Sequence, residues 1–172
     1  MSAPTAEELR AIQAPLKQAY SSDATAAQVT LKSTSTLGTG VSCSLSVGKA
    51  MKEAGLSPMA GGTGDQLCSG DLLLESLAAC AGVTLKAVAT ALSISVESGT
   101  VAVEGDLDFR GTLGVDKTAP VGFTAIRVKF DFDCGDTPKE KVEKLISLTE
   151  RYCVVLQTLS KGVPTSSQLV IK

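Results

Sequence analysis

The sequence predicts an α+β fold built on antiparallel strands. Two pairs of alternating strand segments are each separated by a short turn, and each pair is followed by a long apolar segment with helical character. Strands joined by tight turns pair antiparallel, whereas parallel strands need a crossover of a dozen or more residues. The order helix, strand pair, buried helix, strand pair, helix, strand therefore favours α+β over a doubly wound sheet. With 172 residues, 44% of them hydrophobic, the chain is long enough for one compact domain.

The N-terminal segment predicts a short amphipathic helix. Residues 5–20 repeat apolar side chains at helical spacing, namely Leu9, Ile12, Leu16 and Tyr20. Pro15 weakens the middle of this helix, because proline lacks the backbone N–H that an interior turn requires. We expect residues 1–25 to form a helical extension and residues 26–172 to form the main domain.

A hairpin and a loop follow this helix. Residues 27–34 and 40–48 alternate apolar and polar side chains as strands do. Gly38 and Gly40 lie between them and suit the tight turn of a hairpin. Residues 54–70 are rich in Gly, Pro, Ser and Thr, which is typical of a loop.

The central segment predicts a buried helix and a second strand pair. Residues 71–92 carry apolar side chains on nearly all sides, so we expect a central, buried helix. A small monomer would struggle to cover such a helix, which favours a dimer. Gly82 is its weak point and a candidate kink. Residues 93–110 and 122–133 are long alternating strands, and the second strand directs one set of side chains inward: Ile126, Val128, Phe130 and Phe132.

The C-terminal region predicts one long helix and a closing strand. Thr137 and Pro138 suit the N-cap and first position of a helix over 138–160, and Gly162 ends it. Residues 166–171 then return as a strand. The helix bears an apolar stripe made of Val142, Leu145, Ile146, Tyr152, Cys153, Leu156 and Leu159.

Charge and composition exclude several classes of partner. The net charge is −2, the charges are scattered, and two Tyr and four Phe are the only aromatic residues. A nucleic-acid surface normally needs clustered Lys and Arg with stacking rings, so we expect no nucleic-acid partner. We also expect no membrane span and no secretory signal, because the acidic N-terminus lacks an apolar core segment. A cytoplasmic location follows, with mostly reduced cysteines.

The residues available for chemistry are restricted by the absence of histidine. Without histidine the chain has no Ser-His-Asp or Cys-His nucleophile and no His-containing zinc or haem site. The cysteines are too far apart in sequence for a CxxC unit. We therefore expect no metal and no cofactor, and chemistry carried by thiols, carboxylates, Lys, Arg or backbone dipoles.

Cys80 and Cys153 are the candidate pair of thiols. Each lies on an apolar face of a predicted helix, and packed helices with axes about 8–10 Å apart bring facing cysteines within reach of each other. The alternative is that each is a small apolar side chain of the core. Cys43 and Cys134, in or beside strands, fit that alternative better. Cys68 lies in the Gly-rich loop just before the helix, where it is either exposed and reactive or without a special role, and nothing else in the sequence marks it.

Two segments around these cysteines resemble the OsmC/Ohr family. SGDLLLESLAACAGVTLKAVA is similar to its first cysteine segment, and TERYCVVLQTLSKGVPTSSQLVI is similar to its second. The resemblance implies antiparallel sheets wrapped around two central cysteine-bearing helices in an intertwined homodimer. It also implies reduction of organic hydroperoxides, and more weakly of hydrogen peroxide, in oxidative-stress defence. Cys80 would become a sulfenic acid, Cys153 would condense with it to a disulfide, and a dithiol such as a lipoyl protein would reduce that bond.

Supporting residues for Cys80 are sought on the same helix. Ser76 and Thr84 lie at i−4 and i+4 and share its face, so their hydroxyls are candidate donors to the thiol, or ordinary donors to the helix carbonyls. The carboxylate that the family places at the entrance of this helix appears as Asp71, with Glu75 the other candidate.

The chain departs from the family pattern in two places. Residues 24–50 contain no arginine, although family peroxidases use one from this region to activate the first cysteine. Val154 stands where the family has a proline after the second cysteine. A second hypothesis is therefore an OsmC-like ligand-binding or redox-sensing protein without efficient turnover. A third is a purely structural or interaction domain with unreactive cysteines.

Overall fold

The fold is known from a computed structural model, which describes residues 6–37, 43–45, 54–65 and 67–171. The helices of these residues are α1 (Ala6–Ser22), α2 (Ser69–Ala91), α3 (Phe109–Thr112), α4 (Lys139–Tyr152) and α5 (Val154–Lys161). The strands are β1 (Gln28–Leu37), β2 (Cys43–Leu45), β3 (Ala54–Gly55), β4 (Leu67–Cys68), β5 (Ser98–Asp108) and β6 (Phe123–Asp133).

A four-stranded sheet in the order β2-β1-β5-β6 forms the framework. Its neighbouring strands all pair antiparallel, with Val29 opposite Leu107 in β1–β5 and Val103 opposite Val128 in β5–β6. This arrangement confirms the predicted α+β class. The expected turn at Gly38 and Gly40 lies outside the described residues. The predicted loop between β2 and α2 contains a short parallel pairing of β3 with β4 and a 3-10 helix at Pro58–Ala60.

Helix α2 crosses one face of the sheet and forms the main core with it. Its buried side chains are Leu74, Leu77, Ala78, Ala81, Leu85 and Ala89. They pack with side chains that include Val101 and Val103 of β5 and Leu145 of α4. The helix continues without a break through the buried Gly82, because this packing outweighs the cost of roughly 1 kcal/mol that glycine imposes on a helix interior.

The opposite side of α2 is only partly covered in the single chain. Ser76 and Ala87 are exposed, and Val83 is 37% exposed. The helix is central to the core, as expected, and a single chain does not cover all of it. By length and composition α2 is also apolar enough to cross a membrane, contrary to expectation. It packs as a core helix against the sheet, α4 and α5.

Helix α1 packs against a second, smaller core. Tyr20 is buried there together with Ala27, Ala60 and Phe109. The Tyr20 hydroxyl donates to the Met59 carbonyl oxygen at 2.8 Å, and Gln13 Nε2 donates to the Ala60 carbonyl oxygen at 3.1 Å. The helix runs through Pro15 and ends two residues later than predicted, at Ser22. It is therefore attached to the domain by specific contacts.

The C-terminal region differs most from its prediction. The single helix expected over 138–160 is two helices, because Cys153 adopts an extended conformation with φ −69° and ψ 104°. Pro138 is the N-cap of α4. Thr137 does not cap it, since its hydroxyl donates to the Cys134 carbonyl oxygen at 2.6 Å.

The closing strand predicted at 166–171 is not formed. Residues 162–171 lie outside helices and strands in the single chain, and their side chains are exposed, among them Leu169, Val170 and Ile171. The apolar run Leu169, Val170 and Ile171 has strand character, but a strand also needs a neighbour that offers free backbone groups. The prediction failed because nothing in the sequence indicates whether that neighbour lies in the same chain.

Candidate functional site

Two thiols meet where α2 packs against the junction of α4 and α5. Cys80 projects from α2 at the border between its buried and exposed sides and is half-buried. Cys153 is fully buried at the junction itself. Both are free thiols, and their side chains are hydrogen-bonded to each other. The structure thus brings together the two cysteines that the sequence singled out, although Cys153 lies between helices and not within one.

The start of α5 faces the Cys80 sulfur. The first N–H groups of a helix have no carbonyl partner inside it and carry a partial positive charge. Here the backbone N–H groups of Val155 and Val154 donate to the Cys80 sulfur. Backbone dipoles are among the groups that the sequence leaves available for chemistry. The dipole that acts on Cys80 belongs to α5 and not to the helix that carries the cysteine.

These contacts set the pKa of Cys80. Burial alone would raise the pKa, because the thiolate is less well solvated there. The Val155 N–H, the Cys153 thiol, the Thr84 hydroxyl and the Val154 N–H oppose that effect by hydrogen bonding to the sulfur. Their sum prevails, and the pKa of Cys80 lies below the ordinary value for cysteine. Cys80 is therefore the thiol of the pair that ionises first.

Cys153 is shifted in the opposite direction. The pKa of this thiol is raised to about 11, and burial is the main cause. The backbone N–H of Leu156 opposes the rise, hydrogen bonding to Cys80 and the charge of Cys80 add to it, and the Val155 N–H opposes it more weakly. Cys153 is therefore protonated near neutral pH, where it serves as a donor to the Cys80 thiolate.

The other residues proposed for the site separate into two groups. Thr84, one turn after Cys80, reaches the sulfur. Ser76, one turn before it, is exposed and is not among the groups that shift the Cys80 pKa. Asp71 and Glu75 are half-buried on another side of α2. Burial raises the pKa of both carboxyls, and the charge of Asp71 also raises that of Glu75.

No arginine whose side chain is described acts on Cys80. Each is engaged elsewhere: Arg110 with Asp108, Arg127 with Asp106, and Arg151 over the ring of Tyr152 at 5.6 Å. The groups that lower the pKa of Cys80 are hydrogen-bond donors: the N–H groups of α5, the Cys153 thiol and the Thr84 hydroxyl. The family's proline after the second cysteine corresponds to position 154, the first residue of α5, and proline favours the first position of a helix. This chain carries valine there, so its own residues do not mark the start of α5.

A separate apolar cavity of about 420 Å³ lies at the N-terminal end of α2. Cys68 is at its edge, and its apolar walls include Leu56, Leu73, Phe109, Val121 and Phe123. Among the described residues no group of three or more His, Cys, Asp or Glu side chains is arranged to hold a metal ion.

The antiparallel α+β framework with two facing thiols defines a class of protein that comparisons identify. The sequence profile described as OsmC-like protein matches residues 62–168, and the chain belongs to this family. The fold is similar to that of an OsmC-like hydroperoxide resistance protein from Jannaschia sp. CCS1, with a TM-score of 0.60 at 17% identity. That similarity covers 84% of this chain and 95% of the other. Among curated proteins none matches the sequence significantly.

Proposed function

We propose that the protein is a thiol-dependent peroxidase that reduces organic hydroperoxides, and hydrogen peroxide more weakly. The observation that carries the proposal is the opposite shift of two thiols in contact. The pKa of Cys80 is lowered and that of Cys153 is raised. A two-cysteine peroxidase needs one ionised thiol that attacks the peroxide. It also needs a second thiol beside the first that condenses with the resulting sulfenic acid.

The proposed reaction uses both thiols in turn. The Cys80 thiolate attacks the terminal peroxide oxygen, the O–O bond breaks, and the alkoxide leaves and takes a proton to become an alcohol. Cys80 is then a sulfenic acid. The Cys153 sulfur attacks it, water leaves, and a Cys80–Cys153 disulfide forms. A dithiol, such as the reduced lipoyl group of a carrier protein, returns both thiols by exchange and becomes a disulfide itself.

The comparison supports the class of reaction in general terms. The Jannaschia protein is named for hydroperoxide resistance, and the chain shares its fold. A role in oxidative-stress defence in the cytoplasm is consistent with a mechanism that begins from reduced thiols.

We also propose that the active form is a homodimer. The apolar side of α2 next to Cys80 is partly uncovered, and Val154 beside it is 71% exposed. Within the part of the chain that the structure describes, residues 162–171 are exposed and pair with no strand, and β6 is an edge strand of the four-stranded sheet. A second copy of the chain offers cover for these apolar and backbone surfaces. Light scattering that gives the mass of a single chain at working concentrations contradicts this proposal.

The test of the peroxidase proposal is consumption of an organic hydroperoxide with a dithiol reductant. We expect Cys80→Ser to abolish turnover. Cys153→Ser should still reduce about one equivalent of peroxide without reductant and leave a sulfenic acid that a dimedone-type probe traps. Cys68→Ser is the matched control and should keep its activity. Full activity of Cys80→Ser rejects the proposal.

A ligand-binding or redox-sensing role is the second candidate, favoured by the apolar cavity at the N-terminal end of α2. Its size suits a small apolar molecule. Native mass spectrometry of the purified protein distinguishes the two roles. A bound apolar compound, together with absence of turnover for any hydroperoxide, supports binding over catalysis.

A further inference from the structure

The junction of α4 and α5 interrupts a short run of helical hydrogen bonds. The N–H of Cys153 still donates to the Thr149 carbonyl oxygen at 2.9 Å, as in a continuous helix. The Cys153 carbonyl oxygen in turn accepts from the N–H of Gln157 at 2.9 Å, as the first bond of α5. The interruption therefore falls between these two bonds, at residues 154–156.

Each broken bond leaves a carbonyl on the α4 side and an N–H on the α5 side. In an unbroken helix the N–H of Val154 would donate to the Glu150 carbonyl oxygen. Here that N–H donates to the Cys80 sulfur instead. The Glu150 carbonyl oxygen accepts from Gln157 Nε2 at 2.9 Å. The side chain of Gln157 has thus replaced the backbone donor that Cys80 takes away.

We propose that Gln157 is a positioning residue that keeps the α4–α5 junction open and so holds the N–H groups of Val154 and Val155 against Cys80. Occupying the Glu150 carbonyl removes the bond that would otherwise draw Val154 back into a continuous helix. The chain needs such a device because position 154 is a valine, which is able to donate in a continuous helix. A proline there would enforce the interruption by itself.

The pKa of Cys80 depends on burial and on hydrogen-bond donors, of which the backbone N–H of Val155 has the largest effect. Cys153 is the titratable group in contact with Cys80. The neighbouring charged residues of α4, Glu150 and Arg151, are exposed, and the Arg151 guanidinium lies over the Tyr152 ring. On α2, Lys86 donates to the Val96 carbonyl oxygen at 2.8 Å, away from the thiol.

The test measures how fast iodoacetamide alkylates Cys80 as a function of pH, with the Cys80 peptide quantified by mass spectrometry. Gln157→Leu should shift the profile to higher pH and slow alkylation near neutral pH about threefold to tenfold, as expected for weakened hydrogen bonds to a charged group. Gln157→Lys keeps a donor of similar reach and should restore much of the rate. The control is Gln18→Leu, the same change on the exposed side of α1, which should leave the profile in place.

A double variant separates positioning from general destabilisation. Val154→Pro is compatible with the extended backbone of Cys153 and the first position of α5, and it removes one donor to Cys80. Adding Gln157→Leu to Val154→Pro should then change the profile little, because proline already prevents the continuous helix. The proposal is overturned if Gln157→Leu shifts the alkylation profile equally in the parent protein and in Val154→Pro. It is also overturned if the folded Gln157→Leu protein has the same alkylation profile as the parent.

The inference rests on the proposed role of Cys80 only for its effect on turnover, since alkylation needs no peroxide. A shifted alkylation profile without any peroxide turnover upholds the role of Gln157 and rejects the peroxidase. Normal peroxide turnover, together with an unshifted alkylation profile in Gln157→Leu, upholds the peroxidase and rejects the role of Gln157.

Discussion

Thr84→Val removes one donor to the Cys80 sulfur and changes little else. Valine keeps the β-branched shape of threonine and replaces its hydroxyl with a methyl group. The Thr84 hydroxyl lowers the pKa of Cys80 because it stabilises the thiolate. Its loss should therefore raise that pKa and reduce the fraction of thiolate at neutral pH. The direction is opposite to that of a change that merely exposes Cys80 to water.

The size of the effect follows from the contact. Hydrogen bonds to charged groups contribute about 1.5–3 kcal/mol when buried. Both Cys80 and Thr84 are only half-buried, so water replaces part of the lost bond. We therefore expect about 1 kcal/mol, which corresponds to roughly fivefold less thiolate below the pKa.

Alkylation of Cys80 across a pH series measures this shift directly. Thr90→Val is the matched control, because Thr90 lies on the same helix and its hydroxyl donates only within it, to the Lys86 carbonyl oxygen at 2.9 Å. We expect the Thr90→Val profile to coincide with that of the parent. Coincidence of the Thr84→Val profile as well would show that the hydroxyl does not act on the thiolate.

Two further predictions concern stability. Leu85 is completely buried between α2 and the sheet, so Leu85→Ala should lower the free energy of unfolding by about 2–5 kcal/mol in urea titrations, whereas Val83→Ala on the uncovered side should cost much less. A cost for Leu85→Ala no larger than that for Val83→Ala would contradict the described core. Hydrogen bonds from Arg110 hold the pKa of Asp108 below its usual range, so this carboxylate stabilises the fold above its unfolded pKa of about 3.9, and that stabilisation is lost as the pH falls further. Asp108→Asn should flatten the acidic part of the stability profile, and an unchanged slope would count against it.

The sequence predicted those parts of the fold that depend on local pattern. Alternation in 122–133 identified β6 and its inward side chains, and the apolar run around Cys80 identified α2. It could not predict that Cys153 interrupts the second helix, because apolar periodicity continues through the junction and valine is compatible with a helix. It also mispredicted 166–171, since strand formation depends on a neighbour outside the segment.

The candidate site shows the same division. Cys80, Cys153 and Thr84 meet as their positions on helical faces suggest. Ser76 shares that helical face but is exposed to solvent. The spacing of residues within a helix does not show which of its sides the neighbouring elements will cover. The donors from α5 are backbone groups, so no residue type marks them. They became visible only when the end of one helix was placed against the middle of another.

The two N–H groups at the start of α5 have a consequence beyond the thiolate. Such donors hold any anionic form of sulfur, and a sulfinate offers them the same charge with additional acceptor oxygens. In the proposed peroxidase, abundant peroxide would therefore oxidise the Cys80 sulfenic acid irreversibly. Condensation of that sulfenic acid with the neighbouring Cys153 thiol, with loss of water, competes with the arrival of the second peroxide molecule, so the contact between the two cysteines protects the protein.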